Sequence, residues 1–453
     1  MKVCIIGAGK TGYYLAKALL GGGNEVTMID NDAVRIQGVG NSLDIFSLQG
    51  DALKKDVLEG VDIKNHDLLI AATAEDEKNM AICAFASALG CPRTIARVRS
   101  PEHIKQWDFI KETFGIDQLI NPDYACARAM YKYLTQQYTF ADGLFSQDGI
   151  SIFEFQANQL PSLAGKKIFE AAPVLKDLLI GAVSRNGKII IPKGSTVLEE
   201  NDTLYAVGQD NTIRSFRQKI ARQKKSASVK RVMIAGGGKT GFFLAKMLEE
   251  AGIAVKIVEE DAERCKVLAS ELDNTVVLNG DAAQIDTLRE ENLEAMDAFI
   301  AATGSDEANL LLSLLVKQYK VPEVAAKVSR ETFLPVVKDM ENIALINPQE
   351  IIANEVLSFV RRNGIVLFSK VINGQAEFKE IQAEVAMPIT KKPLAELEIP
   401  EGIIVIAVHR GKNIIIPNGK TQISAGDRVI LLSLLSASGE LESLLTKASS
   451  SIL

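Results

Sequence analysis

The hexapeptide Gly7-Ala8-Gly9-Lys10-Thr11-Gly12 recurs as Gly236-Gly237-Gly238-Lys239-Thr240-Gly241, and this duplication constrains the fold more than any other feature of the chain. Each copy follows a short apolar run, Val3-Cys4-Ile5-Ile6 or Val232-Met233-Ile234-Ala235, and opens an amphipathic stretch of helical period. A strand, a tight turn and a helix are expected at both places. In such a turn the first glycine permits the reversal, the second lets backbone approach a pyrophosphate, and the third lets helix pack on strand. Amide groups at the helix start then face the phosphates.

Each copy also carries an acid suited to a ribose. Asp30 ends the run Val26-Thr27-Met28-Ile29 and Glu259 ends Val255-Lys256-Ile257-Val258, both 23 residues beyond the first glycine. A carboxylate at the tip of the second strand accepts from the ribose hydroxyls and repels the extra phosphate of NADP, so NAD-type ligands are favoured. The Gly-Lys-Thr within each copy invites a P-loop reading as well. That motif would need glycine where Cys4 and Met233 stand, so Walker-type hydrolysis is excluded while nucleotide binding remains.

The duplication runs well beyond the glycines. Gln49-Gly50-Asp51-Ala52 corresponds to Asn279-Gly280-Asp281-Ala282, and the stretch Ala71 to Asn79 corresponds to Ala301 to Asn309, both at an offset of 230. Ile120-Asn121-Pro122 corresponds to Ile346-Asn347-Pro348 at an offset of 226. Between the copies, Ser184 to Gly194 resembles His409 to Gly419, and Asn186-Gly187 is a strong hairpin signal. A repeat this long is a duplicated domain rather than a solenoid unit of ~20 to 50 residues. The expected class is therefore α/β. Two Rossmann-like doubly wound parallel-sheet domains, 1–138 and 231–363, are each followed by a small α+β module, 139–222 and 364–453. A basic linker is expected at 223–230, within the stretch Arg217 to Arg231 that carries seven basic residues; it is read as solvated, or as lying against an anionic membrane surface.

Composition narrows the function. A length of 453 residues suits two to four domains, and a net charge of −6 argues against nucleic acid. No run approaches the ~18 uninterrupted apolar residues of a spanning helix. The amino-terminal apolar run breaks at Gly7, so an export signal is not expected. Cys4, Cys83, Cys91, Cys126 and Cys265 form no C-x-x-C pair, which suits a reducing compartment. His66, His103 and His409 show no metal-ligand spacing, and no metal site is expected. A dehydrogenase would need a substrate domain with an acid/base group and a clamp. The small modules offer neither, so the cofactor reads as sensed rather than consumed. An NAD-dependent oxidoreductase with an unrecognised active site is the alternative.

The order of Gly7 to Gly12, Asp30, Gln49-Gly50, Thr73, Asp76-Glu77, Asn79-Met80 and Ile95-Ala96-Arg97-Val98-Arg99-Ser100-Pro101 resembles the TrkA family of Trk-system potassium uptake proteins, over nearly the whole chain. The resemblance implies duplicated RCK domains in a cytoplasmic, peripheral subunit. Such a subunit docks as a homo-oligomeric ring on an integral membrane potassium transporter of the Trk type and gates it when a nucleotide binds. It also implies NAD(H) as ligand, with ATP or ADP as alternatives at one or both sites. Carried onto this chain, the first site comprises Gly7, Ala8, Gly9, Lys10, Thr11, Gly12, Asp30, Thr73, Ala74 and Arg97, with Gly50 and Asp51 near the adenine. The second comprises Gly236, Gly237, Gly238, Lys239, Thr240, Gly241, Glu259, Gly280, Asp281, Thr303, Gly304 and Lys327. Lys327 stands where the first copy has Arg97 and brings a point charge without a planar fork, which implies weaker binding or another nucleotide preference. Asp76-Glu77 is read as a pair of helix-start acids that favour the macrodipole.

Overall fold

The structure is a computed structural model. It describes all residues except 22–23, 137–148, 224–228, 331–332, 334–342, 361–365, 373–374, 412 and 446–453. The boundaries expected at 138/139 and 363/364, and most of the basic linker, lie outside the described residues. On either side of that linker a helix runs Asp210–Gln223 and a strand begins at Arg231, so the basic stretch expected to be solvated from Arg217 is helical as far as Gln223.

The first half opens with β1 (Lys2–Ile6), β2 (Glu25–Asp30), β3 (Phe46–Gln49), β4 (Leu68–Ala71), β5 (Thr94–Arg97) and β6 (Gln118–Ile120). They form one parallel sheet in the order β3-β2-β1-β4-β5-β6. Helices α1 (Lys10–Gly21), α2 (Asp76–Ala88) and α3 (Pro122–Gln136) follow β1, β4 and β6. Every residue of β4 is buried, as are Val3 to Ile6 in β1, which explains why these strands read as continuous apolar runs rather than alternations. The small module that follows has β7 (Ile150–Gln156), β8 (Leu179–Arg185), β9 (Lys188–Ile190) and β10 (Thr203–Gln209) in the antiparallel order β7-β10-β8-β9. The β8–β9 reversal turns on Asn186 (φ 49°) and Gly187 (φ 75°), two left-handed residues in succession, as a tight hairpin of the primed kind requires.

The second half repeats the plan. Its parallel sheet is built from β11 (Arg231–Ala235), β12 (Ala254–Glu259), β13 (Thr275–Asn279), β14 (Ala298–Ala301), β15 (Glu323–Lys327) and β16 (Ala344–Ile346), in the order β13-β12-β11-β14-β15-β16. Helices α4 (Lys239–Glu250), α5 (Ala262–Glu271), α6 (Asp306–Gln318) and α7 (Pro348–Val360) accompany it. The second module contains β17 (Val366–Ile372), β18 (Ala376–Gln382), β19 (Ile403–Arg410), β20 (Asn413–Ile415) and β21 (Arg428–Leu434), in the order β17-β18-β21-β19-β20.

The chain divides into two compact units by kind rather than by half. One holds residues 1–137 and 228–360, and therefore both parallel sheets; the other holds 138–227 and 361–453. Within the first unit the closing helices are exchanged. Cys126, Ala127, Met130 and Leu134 of α3 pack with Val232, Phe242, Phe243 and Leu248 of the second half. Ile352, Ala353, Val356 and Val360 of α7 pack with Val3, Leu15, Ala16 and Leu19 of the first. Each fully buried side chain of this size is worth about 1.5–3 kcal/mol, so the exchange holds the halves together through apolar burial. In the second unit Ile150, Ile152 and Tyr205 of the first module share a core with Phe378, Ile406 and Leu432 of the second.

Candidate nucleotide-binding sites

Both glycine turns lie at the carboxyl ends of the central strands, where an open α/β sheet reverses its strand order. Gly7 has φ 106° and its amide donates to the Ile29 carbonyl at 2.8 Å; Gly236 has φ 101° and donates to Val258 at 2.9 Å. A methyl group on either would stand 2.9 Å from the carbonyl oxygen of Ala72 or Ala302, and a side chain is excluded by conformation as well. A methyl on Gly12 would stand 1.8 Å from the Gly7 oxygen, and one on Gly241 2.1 Å from the Gly236 oxygen. These third glycines are what let α1 and α4 lie against their own turns. The middle glycines differ: a methyl on Gly9 or Gly238 meets nothing within 4 Å. Packing does not demand glycine at either place, and the space above each is what a pyrophosphate on the helix-start amides would use. Lys10 and Lys239 begin the helices, and the hydroxyl-bearing Thr11 and Thr240 behind them are buried.

The two acids do more than mark strand ends. Asp30 is buried; its Oδ2 accepts from the Ala8 amide at 2.6 Å and its Oδ1 from the Asp32 amide at 2.9 Å. Glu259 repeats the arrangement, with Gly237 at 2.6 Å and Asp261 at 3.0 Å. Each carboxylate thus fixes the second residue of its glycine turn and keeps lone pairs for further donors such as ribose hydroxyls. At Gly237 an added methyl would meet Leu268 Cδ1 at 2.3 Å and Glu259 Oε2 at 3.2 Å, so the leucine above all keeps this position glycine, whereas the first copy has room for Ala8.

The next strand brings in the rest. The Gly50 and Gly280 amides donate to the Asp30 and Glu259 carbonyls, both at 2.9 Å, which sets Asp51 and Asp281 beside the ribose acids. Asp51 Oδ1 lies 3.5 Å from Lys78 Nζ, whereas the residue facing Asp281 in the repeat is Ala308. At the end of β4, Thr73 leads into the exposed Ala74, as Thr303 leads into the exposed Gly304. Arg97 at the tip of β5 donates from Nη1 to the Thr73 carbonyl at 3.0 Å, and Lys327 donates from Nζ to the Ala302 carbonyl at 3.3 Å. Arg97 Nε is buried without a partner, and burial, with Arg99 beside it, pulls the guanidinium pKa down while Asp123 and Asp76 oppose that shift. A buried donor left unsatisfied is costly, and a bound anion within its reach would satisfy it. The residues present therefore fit an adenine dinucleotide or nucleotide phosphate.

Asn79 and Asn309 stand out in the sequence through the repeat, and Asn79 through the family resemblance as well, but with no role attached; these fully buried amides organise the sites. Asn79 Oδ1 accepts from the Thr73 amide (2.8 Å) and hydroxyl (2.7 Å), while its Nδ2 donates to the carbonyls of Thr73 (3.1 Å) and Arg97 (2.8 Å). Asn309 does the same with Thr303 and Lys327. Asp76, expected as a helix-start acid, also binds across the sheet: its Oδ2 accepts from the Arg99 and Ser100 amides, as Asp306 Oδ2 accepts from Arg330. The signal was the recurrence of Asp and Asn three apart after each Thr, which marks a polar bridge between neighbouring strand ends. Arg264 was missed altogether; its Nε donates to the Gly237 carbonyl at 2.7 Å, whereas its counterpart Arg35 turns outward to Asp32.

Comparison with known proteins agrees with this geometry. The TrkA-N domain family matches residues 3–122 and 232–348, and the TrkA-C domain family matches 153–221 and 387–446. The Trk system potassium uptake protein TrkA homolog 1 of Methanosarcina mazei is 33% identical over 98% of this chain and 99% of its own length. The Trk system potassium uptake protein TrkA of Vibrio alginolyticus is 32% identical over 95% of both chains. Among solved structures, the GsuK RCK domain superposes with a TM-score of 0.61 at 18% identity, covering 98% of this chain and 94% of that one. The GsuK channel bound to NAD superposes with a TM-score of 0.61 at 18% identity, over 98% of this chain and 78% of the channel, which establishes the shared fold.

Proposed function

The chain belongs to the TrkA family of Trk system potassium uptake proteins, and from that premise we propose that it is a nucleotide-sensing regulatory subunit of a membrane potassium transporter. The reading rests on one observation above all. Two glycine turns with open middle positions are each held by a ribose-side carboxylate, and among the described residues the polar groups around them bond chiefly to the backbone that shapes the turn. Such an arrangement binds and positions. NAD(H), ADP or ATP is the ligand class that suits it, and GsuK has been solved with NAD and with ADP.

Occupancy becomes a signal through differential affinity. The nucleotide bridges the turn, the β2 or β12 acid and the Thr73 or Thr303 segment of one half, and so favours one arrangement of neighbouring units. A ligand that bound two arrangements equally would shift nothing, and a change from 1:99 to 99:1 needs about 5.5 kcal/mol of difference. Several chains in a homo-oligomeric ring, docked on the cytoplasmic face of the membrane, accumulate that from modest increments. Among the described residues no helix is long and apolar enough to cross a membrane. On this reading the partner is a separate integral membrane subunit, and the nucleotide is sensed rather than consumed.

Potassium uptake by cells carrying Asp30→Ala tests the reading. The variant should lose first-site nucleotide binding and with it the nucleotide response of uptake; uptake and response both equal to wild type would contradict it. Turnover of NADH with a small carbonyl substrate would favour an oxidoreductase instead.

A further inference from the structure

The exchanged helix α3 carries a charge from one half into the phosphate end of the other. Asp123, in its first turn, lies 2.7 Å from Arg99 Nε through Oδ2 and accepts from the Thr240 hydroxyl at 3.1 Å through Oδ1. Its carboxylate is mostly buried, with a side-chain exposure of 15%. Arg99 belongs to the segment that follows Arg97 in the first site, and its own amide is pinned by Asp76. Thr240 belongs to the first turn of α4, whose amides face the phosphates of the second site. One carboxylate therefore links the segment after Arg97 to the first turn of α4.

The reciprocal contact is neutral. The residue of α7 in the register of Asp123 is Gln349, on the helix that packs against Leu15, Ala16 and Leu19 of α1; its Oε1 is buried without a hydrogen-bond partner. Arg99 likewise corresponds to Ser329. Among the described residues, the second glycine turn thus receives a carboxylate from the opposite half through Thr240, where the corresponding position of α7 is Gln349.

Resting on the nucleotide-binding reading above, we propose that Asp123 is the specificity-determining residue of the second site. A carboxylate at a helix start occupies the same positive end that a phosphate seeks, and it repels a ligand in proportion to the phosphate charge brought there. The second site therefore prefers the less charged dinucleotide and disfavours a triphosphate, while the first site, whose corresponding residue is Gln349, lacks that carboxylate. The shared contact with Arg99 couples the sites negatively. An anion that draws Arg99 towards the first site leaves Asp123 less neutralised beside Thr240, and linkage makes the effect reciprocal.

Calorimetric titration of the full chain with ATP and, separately, NADH reads this out, in wild type and in the near-isosteric variants Asp123→Asn and Gln349→Glu. Asp123→Asn should tighten the weaker ATP site about tenfold and the NADH site by less, since the repulsion scales with ligand charge. Gln349→Glu, which leaves Asp123 in place, should weaken the stronger ATP site by a similar factor. A purely structural role for Asp123 would move both ligands equally, and that result, or unchanged ATP affinities in both variants, overturns the assignment while leaving nucleotide sensing intact. Absence of binding by any nucleotide to wild type overturns the functional reading and this inference together.

Discussion

The two places where an exchanged helix meets the opposite half occupy the same positions of the repeat and are finished with different chemistry. On α3 the Tyr133 hydroxyl donates to Glu323 at 2.7 Å, and burial together with that carboxylate holds the phenol pKa well above its usual value. On α7 the same position is Phe359, and the residue opposite is Arg93, whose guanidinium lies 5.6 Å from the ring centre. The glycine turns, by contrast, agree between halves to 0.3 Å in their closest approaches. Where backbone must fit backbone the duplication has one solution. Where side chains meet across an apolar seam, a phenol with a carboxylate or a ring with a cation serves equally well, because the burial around them supplies most of the energy.

Glycine replacements strain that comparison hardest. Gly12→Ala and Gly241→Ala should each cost about 3 kcal/mol or more by urea unfolding, since the added methyl meets backbone that cannot yield. Wild-type stability in either would show that the helix does not lie on its turn as described. Asn79→Ala and Asn309→Ala should follow, at about 2–4 kcal/mol each and nearly equal in the two halves, because each removes the same buried bridge. A large inequality would mean that the halves are less alike than their turns.

The small modules allow a pH test of the same idea. Glu380 is paired with Arg428 at 2.7 Å, whereas the corresponding Glu154 has Thr203 in place of that arginine, and burial raises its pKa to about 7. Glu154 keeps its proton in the folded chain after the unfolded chain has released it. Its contribution is therefore present in full below about pH 4.5 and is lost as pH rises through about 7, amounting to ~3 kcal/mol. Chemical unfolding across this range should show Glu154→Gln removing part of the slope. An unchanged slope would place the titration elsewhere. Smallest of all, Tyr133→Phe, which gives α3 the ring that α7 already has, should cost about 1 kcal/mol; a cost of 3 kcal/mol would mean that the phenol is essential to the seam.

Much of the fold was legible because the strand-turn-helix signature occurs twice and its spacing repeats. The first two strands of each parallel sheet coincide with the apolar runs that end at the glycine turns and at Asp30 or Glu259, and Asn186-Gly187 announced its hairpin. The exchange of α3 and α7 was not legible. Their apolar faces require a partner, but periodicity records only that a face is buried and not against which sheet. Asn79 and Asp123 escaped for a related reason: an amide that bridges two strand ends, and a carboxylate that reaches the opposite half, look like ordinary polar helix residues until the chain is folded.

The central claim is that two glycine turns hold nucleotide at positions where packing alone would accept a side chain. Gly9→Ala and Gly238→Ala isolate it, since a methyl at either position meets nothing within 4 Å of the folded chain. Calorimetric titration of NADH and ADP, with thermal unfolding alongside, should give two nucleotides per chain in wild type, one in each variant, and melting temperatures close to wild type throughout. No binding in wild type, or two sites surviving unchanged in both variants, would contradict the account.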